Sequence, residues 1–135
     1  MHPLDYSLPA PLGSSVAELK YIGDVGFGPP FFGLSIGGLT FSQRTFGSHL
    51  AWSADGALLF AEEWLSKSNV HTRLICVDVP NGRECTIANV VGGFVFPEAV
   101  DGQTLRYAEK YFSGERAGST QREFLIANCG GWNAL

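Results

Sequence analysis

Apolar and polar residues alternate along most of the chain in short runs separated by Gly, Pro, Asn and Asp. A period of two broken by such residues predicts strands joined by tight turns rather than helices. Ser48–Ser53 reads as one strand and Ala57–Leu65 as the next, with Ala54-Asp55-Gly56 as the turn between them. Gly56 supplies the positive φ such a turn needs at little cost. Thr72–Val79 is a third, β-branched strand and Cys85–Val91 a fourth. They are joined at Pro80-Asn81-Gly82, where Asn81-Gly82 predicts a two-residue type I′ hairpin turn. The pattern then restarts with Gly93–Val100, a turn at Asp101-Gly102, Thr104–Phe112, a polar loop over Ser113–Thr120 and a strand over Gln121–Ala127. Upstream, Ala17–Ile22 opens a strand, and Phe31–Ile36 and Leu39–Ser42 flank Gly37-Gly38 as a hairpin. Residues 1–16, with Pro3, Pro9, Pro11 and Gly13, have no period and read as an arm, either disordered or laid across a surface.

The two meanders share landmarks in the same order. Asp55-Gly56 returns as Asp101-Gly102, Ala61-Glu62 as Ala108-Glu109, and Arg73 as Arg122, which suggests a duplicated unit over about residues 48–92 and 93–129. A strand ending in Ala51-Trp52-Ser53-Ala54-Asp55-Gly56, followed by Leu58-Leu59-Phe60-Ala61, resembles the WD40-like blade repeats of TolB-type β-propellers. The second unit keeps Asp101-Gly102 but carries Glu98-Ala99 in place of Trp-Ser. The resemblance spans about residues 48–127 and implies a scaffold with a binding role, without catalytic residues. A closed propeller needs about four or more blades, and this chain holds two units. The expected fold is therefore all-β: two blade-like antiparallel meanders packed as a β-sandwich, with the hairpin at 31–42 completing a sheet, in one domain spanning 17–135. Edge pairing in a homodimer, or assembly of copies into a larger propeller-like oligomer, are alternative outcomes for the free edges.

Charge and composition narrow the partners. The net charge of -4, with nine Lys and Arg scattered along the chain, speaks against nucleic acid or an anionic membrane. The N-terminus has no basic region and no long apolar window exists, so the expected location is the cytoplasm. Cys76, Cys85 and Cys129 form an odd set without CxxC spacing, which reads as free, largely buried thiols in a reducing compartment. His2, His49 and His71 are isolated, so no metal and no cofactor are expected. Gly23–Gly28 looks like a phosphate loop but lacks the Gly-Lys-Ser/Thr ending. Pro29-Pro30-Phe31-Phe32 reads as core packing or as an exposed apolar patch.

The strand period puts Leu58, Phe60, Glu62 and Trp64 on one face, and Leu105, Tyr107, Glu109 and Tyr111 on the matching face of the second unit. Two carboxyls between aromatics, facing each other, would form an acid pair of the kind glycosidases use. Alternatively each Glu pairs with the Arg that begins the next strand, Arg73 or Arg122. A Cys129 nucleophile with His49 or His71 has no supporting local sequence. The expected function is a non-catalytic protein-binding module, like a bacterial immunity or antitoxin-type inhibitor in size and charge, acting as a monomer or homodimer. It would engage a basic protein through Trp52, Glu62, Glu63, Trp64, Tyr107, Glu109, Tyr111 and Trp132. The alternative is a small hydrolase working through Glu62 and Glu109.

Overall fold

Twelve strands and one short 3-10 turn follow each other in the computed structural model, which describes residues 2–24, 28–66, 68–112 and 118–135. They are β1 (Tyr6–Pro9), β2 (Val16–Asp24), β3 (Pro30–Ile36), β4 (Leu39–Thr40), β5 (Thr45–Trp52), β6 (Leu58–Ser66), β7 (His71–Asp78), β8 (Arg83–Val91), β9 (Gly93–Asp101), β10 (Thr104–Tyr111), β11 (Gly118–Leu125) and β12 (Asn133–Ala134), with the turn at Ile126–Asn128. Residues 25–27 of the Gly23–Gly28 segment, Lys67, and residues 113–117 of the polar loop lie outside the described residues. The chain is all-β, built from a nine-stranded sheet in the order β1-β2-β3-β5-β6-β7-β8-β12, with β4 on β3, and a three-stranded sheet β11-β10-β9. All pairings are antiparallel.

The first meander is β5 to β8 as its alternation predicts, and the second is β9 to β11. The hairpin at 31–42 extends the first sheet through β3 and β5, paired at Phe32 and Phe46. The N-terminal arm contributes β1, which pairs with β2. The C-terminal residues return to the far side of the first sheet as β12 on β8. The β5–β8 sheet is thus continued on both sides, and is not a free-standing four-stranded blade.

The large sheet curls. Trp52, at the end of β5 in its middle, donates its indole N–H to the carbonyl of Leu8 in the edge strand β1 at 2.9 Å. This curl encloses a first core from one face of the sheet, with Leu19, Phe32, Phe46, Leu59, Ile75 and Val77 fully buried or nearly so. The opposite face of β5 to β8 meets β9 and β10 over a second core that includes Phe60, Leu74, Val90, Val95 and Leu105. The alternation of β6 explains the division: Leu59 and Ala61 enter the first core, and Phe60 the second.

The β7–β8 connection is not the two-residue type I′ turn that Asn81-Gly82 suggests. The loop is Val79–Gly82, closed by the Gly82 N–H on the Val79 carbonyl at 3.3 Å, and Gly82 alone within it takes a positive φ, 60°. Pro80 decides this, because its fixed negative φ suits the first central position of an ordinary turn and puts Asn81 second. At the other meander turn, Gly56 has φ 74°, and a Cβ there would collide with the Leu12 carbonyl of the N-terminal arm. Ser53 and Asp55 lock this turn through a 2.6 Å side-chain hydrogen bond, and Asp55 accepts the Ala57 N–H at 3.0 Å. The Trp-Ser-x-Asp-Gly motif therefore holds both a turn and the arm that crosses it.

Candidate functional site

Of the residues singled out from sequence for binding, Trp52, Glu62, Glu63, Trp64, Tyr107 and Glu109 are buried, and Tyr111 and Trp132 are half-buried. Six of these side chains therefore shape the interior and offer little surface to a partner. Their predicted faces are correct: Phe60 and Tyr107 lie in the second core, and Leu58 and Tyr111 pack against it. The two acids diverge. Glu109 is 9% exposed and forms an ion pair with Arg122 at 3.4 Å. Glu62 is 1% exposed and has no such partner among the described residues, because Arg73 points to the other face of the sheet.

Arg73 meets Glu63 instead, within a group of two cations and two anions. Its guanidinium donates to Glu63 at 2.7 Å and to the Thr86 hydroxyl at 2.8 Å. Arg44 forks onto Glu63 at 2.7 and 3.0 Å and onto Glu84 at 2.8 and 2.6 Å. Burial alone would depress Arg44, but its bonds to Glu84 and Glu63 hold it above its usual value. Burial pushes Glu63 up, and Arg44 and Arg73 outweigh it, so this carboxyl is held below the usual range. Arg44 also lies over the rings of Phe41 and Phe46, at 5.1 and 5.6 Å from their centres. The group is a bidentate clamp closing the open side of the first core.

Glu62 sits at an irregularity where the β5–β6 register shifts between Phe46 and Leu50. One carboxyl oxygen accepts the Val95 N–H of β9 at 2.8 Å, tying the two sheets together. The other lies against Gly47, where any Cβ would collide with it. The Trp64 indole N–H, buried without a hydrogen bond of regular geometry, is the third neighbour of that Gly47 position, at 3.2 Å. Burial raises the Glu62 carboxyl to about 7, although the Val95 N–H and the nearby Trp64 indole both offset part of the rise. The contact with Trp64 is electrostatic rather than a formed hydrogen bond. At neutral pH the group is poised between its two forms, but it has no exposed face for a substrate.

Around this point runs a seam of aromatic rings drawn from several strands. Phe31 contacts Trp64 at 5.8 Å between ring centres, Trp64 stacks on Phe94 at 5.4 Å, and Phe94 meets Phe112 edge-on at 4.9 Å. Phe94 also stacks on Phe96 at 6.0 Å, and Phe96 meets His49 at 4.4 Å. Trp64 and Phe94 are buried, while Phe31 and Phe96 are half-buried, His49 is exposed and Phe112 is 50% exposed. Partial desolvation of its ring lowers the His49 pKa from its usual value, partly opposed by Glu98. The seam is a largely apolar ridge with buried roots and a more exposed crest. Sequence reasoning passed over Phe94, Phe96 and Phe112 as ordinary strand residues; the signal was a spacing of two on β9 and a Phe just beyond β10.

The three cysteines converge. Cys76 and Cys85 are register partners on β7 and β8, and both are buried. Cys129 follows the 3-10 turn at Ile126–Asn128, and the three sulfurs all lie within 4.8 Å of one another. Hydrogen bonding to the Cys76 sulfur lowers the Cys129 thiol to about 7, while burial raises Cys85 to about 11. Cys76 is pushed upward by its bond to Cys129 and by burial.

No protein family, curated protein or solved structure matches this chain. No helix among the described residues is long and apolar enough to cross a membrane.

Proposed function

We propose that this chain is a non-catalytic protein-binding module, of the kind that immunity or antitoxin-type inhibitors represent, and that it recognises a basic protein through the aromatic seam. One observation carries the reading: Phe112, half exposed, is fixed edge-on against buried Phe94 in a row that continues to Phe96 and His49. Aromatic anchors held rigid before binding lose little entropy on association, and such residues dominate interface energetics. Exposed Glu98, close enough to act on His49, gives the crest an acidic border, in keeping with the net charge of -4. A reducing cytoplasm suits three neighbouring thiols that are free of disulfides.

The geometry lends less to the hydrolase reading. Glu62 and Glu109 are buried, and Glu109 is already paired with Arg122. The test is capture of a protein partner by the immobilised chain, run beside its Phe112→Ser variant. A basic partner retained by the wild type and lost from the variant supports the proposal, and equal recovery on both contradicts it.

A further inference from the structure

We infer that Cys76, Cys85 and Cys129 form a binding site for one thiophilic d10 cation, Zn2+ or Cu+, with three thiolate ligands and one position open. The sulfurs come from three separate places in the chain, yet all lie within 4.8 Å of one another. A metal–sulfur distance of about 2.3 Å with tetrahedral angles requires sulfurs about 3.8 Å apart, so closing the site takes shifts of about an ångström or less. Two ligands are already placed by the β7–β8 ladder, where Cys76 faces Cys85. The third is carried by the C-terminal segment, which brings Cys129 up to the pair.

That segment is strapped down on both sides of Cys129. Before it, the Ile126 N–H donates to the Gln103 carbonyl at 2.9 Å. After it, Trp132 packs under Arg83 at 4.3 Å, Asn133 and Ala134 pair with Glu84 and Arg83, and the Leu135 N–H reaches the Gly82 carbonyl at 3.0 Å. The Gly130 backbone amide lies near enough to the Cys85 sulfur to favour its thiolate, the kind of outer-shell group that supports a metal ligand. Cys129 is half-buried, which leaves an entry path and a solvent-facing fourth position. Thiolate ligands without carboxylate or imidazole select soft cations over Mg2+ or Ca2+. The site lies at the end of the second core, so a bound ion would staple β7, β8 and the C-terminal strap.

The test uses the full chain, reduced and stripped of metal, titrated with Zn2+ against a chromophoric chelator and, anaerobically, with Cu+ against its own chelator. The expected result is one equivalent of at least one of the two ions, with all three thiols protected from alkylation once it is bound. Cys129→Ser should weaken binding at least a hundredfold, and His2→Ala, remote from the cluster, should leave it unchanged. Cys129 is half-buried, so the folded state of its variant can be confirmed by circular dichroism before titration. The inference is overturned by uptake of neither ion, by equal affinity in Cys129→Ser, or by binding that leaves the thiols open to alkylation.

Discussion

Cys76 stands directly opposite Cys85 across the β7–β8 ladder, and the connecting Val79–Gly82 turn sets that register. A third sulfur, Cys129, joins them from the C-terminal strap, but it is the only one of the three with appreciable exposure. In the reduced, metal-free protein, Cys129 should alkylate first, with Cys76 and Cys85 reacting only on unfolding. Timed labelling followed by peptide mass analysis reads the order. Equal rates at all three would mean that the strap does not cover the pair.

Glu62 predicts an unusual dependence of stability on pH. Its folded-state value of about 7 lies above the ordinary 4.5, so between those values the folded state holds a proton that the unfolded chain has lost. Stability should therefore fall as pH rises from about 4.5 to about 7, and this contribution should level off above. The full effect is on the order of 3 kcal/mol. Glu62→Gln keeps an acceptor for the Val95 N–H and should flatten this part of the profile, measured by urea unfolding across the range. A variant that retains the wild-type slope would remove Glu62 as its cause. Glu63 acts in the opposite sense: its carboxyl is held low, so its contribution is present above the ordinary carboxylate range and lost as pH falls through its folded value.

Arg44 is the shared cation between Glu63 and Glu84. Arg44→Ala takes the close fork from buried Glu84, which keeps only a 3.5 Å contact with Arg73, and leaves Glu63 to Arg73 alone; it should cost about 3 kcal/mol. Arg44→Lys should recover only part of that, because an ammonium cannot fork onto both acids. Chemical denaturation measures both, and a loss below about 1 kcal/mol for the alanine variant would show that the clamp contributes little.

Much of this arrangement follows from particular residues in the sequence, and the exceptions have identifiable causes. The strands of both meanders follow from period-two alternation, as does the common face of Phe60, Glu62 and Trp64. The cysteine cluster does not, because an Asn81-Gly82 two-residue turn would place Ile87 opposite Cys76. Making Pro80 and Asn81 the central residues shifts the pairing by two and brings in Cys85. The symmetry between Glu62 and Glu109 failed on one residue: Arg73 faces Glu63, whereas Arg122 faces Glu109. Alternation within a strand cannot show which residues a second sheet will cover. For that reason Trp64, stacked on Phe94 of β9, read as a surface anchor while Phe96 and Phe112 passed unnoticed; Trp52 read as one because alternation equally cannot show that its own sheet curls until β1 covers it.

Gly56 carries two demands at once, a φ of 74° and close approach of the Leu12 carbonyl. Gly56→Ala should destabilise the fold by about 2 kcal/mol or more and loosen the arm. Limited proteolysis near Leu12 should accelerate with it. An unchanged cleavage rate would mean that the arm is held elsewhere, at Trp52 and Leu8 or along β1.

The aromatic crest makes the most direct demand. Once a partner is captured, its affinity should be measured for the wild type and for the Phe96→Ser, Phe112→Ser double variant, alongside thermal unfolding of each. The prediction is a loss of about thirtyfold or more in affinity, with the variant still cooperatively folded. A folded double variant that binds as tightly as the wild type would contradict recognition through the seam.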